Sequence, residues 1–167
     1  MATQTLISED EYLHAIFEGS EPEFRDGEVL ERGMPTSLHG MTQAVMAALF
    51  MPYRKSHSLW PTTETRHRLR PGLIRIPDVA VHQGKPSMPH PDYPPYVAIE
   101  VLSPDDGMTE VAGKMREYRD FGVAHAWVVD PELQALYVFD SDGLHQVRAL
   151  QISEFGINFT PEQIFEV

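Results

Sequence analysis

The spacing of apolar residues changes along this chain, and the changes mark out its elements. Tyr96, Val97, Ala98, Ile99, Val101 and Leu102 form a nearly unbroken apolar run, the pattern of a strand covered on both faces, with Glu100 in its middle. Leu38, Met41, Val45, Ala48, Leu49 and Met51 fall near helical spacing until Pro52 stops them. A second helix is predicted from about Thr109 to Phe121, closed by Gly122, and on it Val111, Lys114 and Tyr118 share one face. Strand, helix and strand from Tyr96 to Asp130 make a crossover unit, which predicts parallel pairing between its two strands.

Shorter signals fill in the rest. "SEDE" at Ser8 to Glu11 is a capping box opening a helix through about Phe17. The "DG" of "EPEFRDGEVLERG" predicts a hairpin between Glu23–Arg25 and Glu28–Arg32. Strands are expected over Leu59 to Glu64 and Thr65 to Leu69, and "LIRIPDVAV" divides at Pro77 into two extended segments. "HQGKPSMPHPDYPP" has no periodicity and reads as a loop. "AHAWVVDP" is a further strand, "ALYVFD" and "GLHQVRAL" form a hairpin around "SDG", and "TPEQ" opens a last short helix. These elements describe a mixed sheet with helices packed on it.

Composition narrows the chemistry. A chain of 167 residues with 42% hydrophobic content is long enough for one domain with a real core, and a single domain over 1–167 is expected. It has no cysteine, so disulfides, thiolate nucleophiles and cysteine-ligated zinc are excluded, and any metal site must use oxygen or histidine. The amino terminus lacks a basic start followed by an apolar stretch, and no apolar run approaches the roughly 20 residues of a membrane span. A soluble, cytoplasmic protein is expected. The net charge of −12 argues against a general nucleic-acid coat, yet Met51 to Pro77 holds six Lys or Arg and one acid.

Glu100 raises the central question, because burying an unpartnered carboxylate costs several kcal/mol, roughly. Asp78, at the start of "PDVAV", is a second acid in strand-like sequence, and paired strands would set the two side by side. A salt bridge or an edge position explains either acid alone; together they suit a divalent cation such as Mg²⁺. Lys114 on the inward helix face would lie near both and could stabilise a phosphorane or orient water, the alternative being a flank residue whose ammonium reaches solvent. Arg66, Arg68 and Arg70 alternate, so in a strand all three point to one side, either gripping a phosphate backbone or simply facing solvent.

"IPDVAV", "VAIEVLSPDD" and "KMREYRDFGVAHAWVVDP" resemble the three signature blocks of the Uma-type restriction endonucleases, a bacterial family of the PD-(D/E)XK nuclease superfamily. "SEDEYL" and "PEFRDGEVLE" resemble its amino-terminal blocks, so the likeness spans nearly the whole chain. The resemblance implies a restriction-endonuclease-like α/β fold, a mixed β-sheet flanked by helices, in which Asp78, Glu100 and the main-chain carbonyl of Val101 bind Mg²⁺, with Mn²⁺ as a substitute. The superfamily's usual lysine two residues after the glutamate is replaced by Leu102 here, so Lys114 would serve as a relocated catalytic lysine. Glu23 matches an acidic position that could hold a second metal or orient water, unless it is a solvated hairpin charge. His39 stands where the family often has a histidine, to contact phosphate or the site's edge, or merely to cap or pack. The implied activity is Mg²⁺-dependent hydrolysis of DNA, by a homodimer if it cuts both strands. The rival is a nuclease fold without catalysis that serves as a binding or assembly module.

Overall fold

The computed structural model describes residues 6–166, in chain order α1 (Glu9–His14), β1 (Glu23–Arg25), β2 (Glu28–Leu30), α2 (Ser37–Phe50), α3 (Tyr53–Ser56), β3 (Leu59–Thr63), β4 (His67–Arg70), β5 (Leu73–Arg75), β6 (Val79–Gln83), β7 (Val97–Val101), α4 (Met108–Phe121), β8 (His125–Asp130), β9 (Ala135–Asp140), β10 (Gly143–Val147), β11 (Leu150–Ile152), β12 (Ile157–Phe159) and α5 (Pro161–Phe165). The main sheet has six strands in the order β10-β9-β8-β7-β6-β3. Its β7–β8 pair is parallel and its other pairs antiparallel, as the crossover through α4 requires. A second, antiparallel sheet runs β2-β1-β5-β4, and β11 and β12 form a small hairpin.

The apolar run of β7 is explained by cover on both faces. Val97 and Ile99 point into a core that holds Met46 and Phe50 of α2, Trp127 of β8 and Ile164 of α5. Ala98 and Leu102 point the other way, into a core with Val111, Met115 and Tyr118 of α4. Strand alternation therefore aims Glu100 at α4. Gly122, with φ +109°, ends α4 in the left-handed region that glycine adopts without strain.

Several boundaries differ from the sequence expectation. The first helix stops at His14 rather than near Phe17, because the chain turns back and Phe17 lays its ring 5.5 Å from Tyr12. The strand expected from Thr65 begins at His67: Glu64 takes a φ of +51° and the Thr65 hydroxyl donates to the Thr63 carbonyl, so a turn occupies the join. "GLHQVRAL" is divided, its last residue opening β11. Among the described residues, no helix is long and apolar enough to cross a membrane.

One buried polar pair lies away from the main cleft. His67 Nδ1 is 2.7 Å from the Thr65 carbonyl oxygen, a contact that only a protonated Nδ1 can make. His67 Nε2 is therefore the acceptor, and His82 Nε2, 3.2 Å away, donates to it. His82 Nδ1 is left as a buried acceptor with no partner. Burial pushes both rings down to about 4, so both are neutral near pH 7. Between about pH 6.5 and 4 the unfolded chain takes up protons that the folded pair refuses, so stability falls as pH drops through that window and levels off below it. His82→Gln, which keeps a donor toward His67, is expected to flatten this fall, read by urea denaturation at pH 7, 5.5 and 4.5. An unchanged slope would remove the pair from the account of acid stability.

Candidate active site

Buried charge in this chain is concentrated in one place. Glu23, His39, Arg75, Asp78 and Glu100 are all buried, and all five line one cleft of about 730 Å³ that Lys114, Arg32 and Val101 also border. The sheet register sets its centre. β6 and β7 run antiparallel with Val79 opposite Ile99, so the next step places Asp78 opposite Glu100, on the face that carries α4. Pro77 ends the preceding extended segment, which puts Asp78 at the mouth of β6 rather than inside it.

Each acid is held by named donors. Asp78 Oδ2 accepts the Val101 N–H at 2.7 Å and a bond from His39 Nε2 at 3.3 Å, while Oδ1 accepts from Arg32 Nη2 at 2.9 Å. His39 reaches it from the first turn of α2, where the Thr36 hydroxyl accepts the His39 N–H and caps the helix. Burial opposes ionisation of Asp78, but His39, Lys114 and the Val101 N–H outweigh it and keep its carboxyl below the usual range. The Asp78 contact in turn raises the basicity of His39.

Lys114 bridges the other two acids, with its Nζ 2.9 Å from Glu100 Oε2 and 2.9 Å from Glu23 Oε1. Tyr118, one turn further along α4, donates to Glu100 Oε1 at 2.7 Å. Glu23 also accepts from Arg75 at 2.6 Å and from the Ile76 N–H at 2.8 Å, and Arg75 continues to Glu117 at 2.7 Å. The two acids that share the lysine therefore differ. Burial works against both, but Lys114, Arg75 and the Ile76 amide bring Glu23 down to about 2. Glu100, with the charges of Asp78 and Glu23 beside it and fewer donors, is pushed up to about 7 by burial first and these neighbours second, against the pull of Lys114. Lys114 itself stays charged, its basicity raised by the three acids despite burial.

The structure thus brings Asp78, Glu100, Lys114, Glu23 and His39 together, with Val101 contributing an amide to Asp78. It does not bring the three arginines there. Arg66 lies outside β4 and pairs with Glu21 and the Leu13 carbonyl, Arg68 pairs with Glu9, and Arg70 pairs with Asp26. A register shift between Arg68 and Arg70 also breaks the alternation that would align them. The row of free guanidinium groups expected there is absent because acids from the amino-terminal segments have taken them. Arg32, Arg75 and Tyr118 complete the network and were not read from the sequence; for Tyr118 the signal was its spacing from Lys114, whereas nothing local marked Arg32, 46 positions from Asp78.

The family model described as "Uma2: Putative restriction endonuclease" matches residues 9–167. The chain belongs to the Uma2 family. Its fold is similar to that of a crystal structure described as "a putative nuclease belonging to DUF820" from Anabaena variabilis, at 19% identity, with 96% of this chain and 98% of that one covered and a TM-score of 0.82. No match was found among curated proteins. The sheet flanked by helices is a restriction-endonuclease-like α/β architecture, as the signature blocks implied. Among the described residues, no group of three or more histidines or acids is arranged as a ready metal cage. Asp78 and Glu100 beside the cleft offer carboxylate oxygens, hard donors of the kind Mg²⁺ takes when it keeps several waters, so their chemistry suits such an ion.

Removing the shared cation should expose the tension among these acids. Lys114→Ala is expected to cost about 3–5 kcal/mol, the range for leaving buried partners unpaired, and Glu100→Gln in that background should recover part of it. Urea denaturation of the two single variants and the double variant in metal-free buffer checks this. A coupling below about 0.5 kcal/mol would mean the lysine and Glu100 act independently.

Proposed function

We propose that this Uma2-family chain is a metal-dependent endodeoxyribonuclease, with Asp78, Glu100 and the Val101 main-chain carbonyl holding Mg²⁺ or Mn²⁺ and Lys114 acting at the phosphate. The observation that carries this reading is the register pair Asp78 and Glu100, two acids on neighbouring strands that share one buried face beside a lysine and open to a cleft. Two facing acids are costly in a structural core, whereas at a phosphodiesterase site they can hold a divalent cation.

The roles follow from the contacts. The Val101 N–H and His39 orient Asp78 and keep it ionised, so it offers a fixed carboxylate. Glu100 has less cationic compensation than Glu23, which is the condition a divalent cation relieves. When bound, such an ion supplies Lewis acidity at the phosphate and lowers the pKa of water. Lys114 carries the charge that meets the negative charge developing on the phosphoryl oxygens. It reaches the site from α4, and Leu102, where the superfamily's lysine is expected, packs in the α4 core instead. Glu23 is tied to Arg75 and the Ile76 amide, and through its contact with Lys114 it aims the lysine. His39 lines the cleft beside Asp78, where its Nε2 contact positions the acid. Membership of a family described as a restriction endonuclease supports DNA as the substrate.

A second reading has an observation of its own. Both oxygens of Asp78 and both of Glu100 already have protein partners, as in a closed salt-bridge network that supports a binding or assembly module. The deciding experiment is cleavage of single-stranded, duplex and supercoiled DNA with Mg²⁺ or Mn²⁺ by the original chain, Asp78→Ala and Lys114→Ala. Cutting that requires the cation and is lost in both variants is expected. With Mn²⁺ at about 100 times its Kd the original chain should also gain about 2.7 kcal/mol of stability, seen as a rise in melting temperature that Asp78→Ala lacks. No cutting and no cation-dependent rise would favour the module.

A further inference from the structure

Arg32 is set apart from the other cations of the cleft. Lys114 and Arg75 are each enclosed between carboxylates on helices and strands. Arg32 comes instead from the segment between β2 and α2, which has no regular structure, and Met34 two residues on is largely exposed. Its guanidinium spans two acids, with Nη2 2.9 Å from Asp78 Oδ1 and Nη1 paired with Glu64. Glu64 is half-exposed at the end of β3, and its other oxygen accepts from Gln43, which also donates to the Asp78 carbonyl at 2.8 Å. Among the described residues Arg32 is the one hydrogen-bond partner of Asp78 Oδ1, the other oxygen being taken by Val101 and His39.

We propose that Arg32 is a phosphate-binding residue that Asp78 holds in reserve, released into the cleft when a divalent cation takes its place on Oδ1. This rests on the metal-site reading of Asp78 given above. A guanidinium and a divalent cation on one carboxylate oxygen would lie within a few ångströms of each other, and their repulsion at that range makes the two occupancies compete. The exchange does not send Arg32 into solvent, because Glu64 still holds one side of its fork at the rim of the cleft. The freed N–H groups have the planar geometry that matches a phosphate in bidentate fashion, which a lysine cannot reproduce.

The device addresses a difficulty specific to this chain. Its net charge is −12 and Arg66, Arg68 and Arg70 are spent on acids, so DNA finds little long-range attraction. A cation released only by metal uptake would couple the two binding events, so that nucleic acid is gripped after the ion is in place and not before.

The test uses Mn²⁺ alone, followed by electron paramagnetic resonance of the free ion, and then a fluorescent duplex oligonucleotide in Ca²⁺, followed by anisotropy. Arg32→Ala is expected to bind Mn²⁺ about fivefold more tightly than the original chain, the scale of losing one part-buried competing ion pair. The same variant should bind the duplex about tenfold more weakly in Ca²⁺, with Arg32→Lys between the two, while the original chain shows little duplex binding without a divalent ion. Unchanged or weaker Mn²⁺ binding by Arg32→Ala, or tighter Mn²⁺ binding with unchanged duplex affinity, would overturn the proposal. If Arg32→Ala does not fold, Arg32→Gln, which removes the competing charge, carries the Mn²⁺ comparison, and Arg32→Lys carries the duplex comparison, since a point charge keeps the pairing with Asp78 but not the fork. Asp78→Ala separates the two readings: Mn²⁺ binding that survives it removes the metal site itself, whereas binding lost in Asp78→Ala but indifferent to Arg32→Ala removes only the role of Arg32.

Discussion

A charge buried in protein must find its opposite, and that requirement organises this molecule around Asp78 and Glu100. The register of β6 against β7 brings the two acids together, and no single element can supply the donors they need. The donors arrive from four directions: Lys114 and Tyr118 from α4, His39 from α2, Arg32 from the segment after β2, and the Val101 amide from β7 itself. Glu23 and Arg75 add the small sheet through β1 and β5. One polar network therefore ties both sheets and two helices to the same point, and the apolar cores on either face of the main sheet hold it in position.

Compensation within that network is uneven. Glu23 has a lysine, an arginine and an amide, and it is firmly ionised. Asp78 has a histidine, an arginine and an amide, and its carboxyl also stays low. Glu100 has one lysine and one hydroxyl, and it is left poised near neutrality. Such a gradient among neighbouring acids has little value in a core built for stability alone, where an apolar trio of similar volume would be cheaper. It has value where one group must take up or give up charge, which supports the proposed reading of the network as a site.

Outside the cleft the same rule works against a nucleic-acid surface. The basic stretch around β4 is answered by Glu9, Glu21 and Asp26 from the amino-terminal segments, so its charge is spent within the chain. The rim of the cleft carries Glu31, Asp105, Asp106 and Glu110. Under the proposed function, groups inside the cleft, whose charge is exchanged rather than displayed, supply the grip on a polyanion.

The sequence by itself determined the elements and the face each presents. The hairpin opened by Glu23–Arg25, whose second strand ends at Leu30 rather than at the expected Arg32, the two long helices, the capping boxes at Ser8 and Thr160 and the parallel β7–β8 pair were legible, because they depend on local periodicity, turn chemistry and crossover geometry. The inward face of Lys114 was legible too, since helical spacing alone sets it beside Val111 and Tyr118. The fold family was legible through its signature blocks. What only the tertiary structure decided is who neutralises whom. Arg66, Arg68 and Arg70 look free in the sequence and are paired, while Arg32 looks like the end of a hairpin and sits on Asp78. Periodicity records which way a side chain points. Electrostatic partnership depends on distance in space between residues tens of positions apart, and that distance exists only once the sheets and helices have packed.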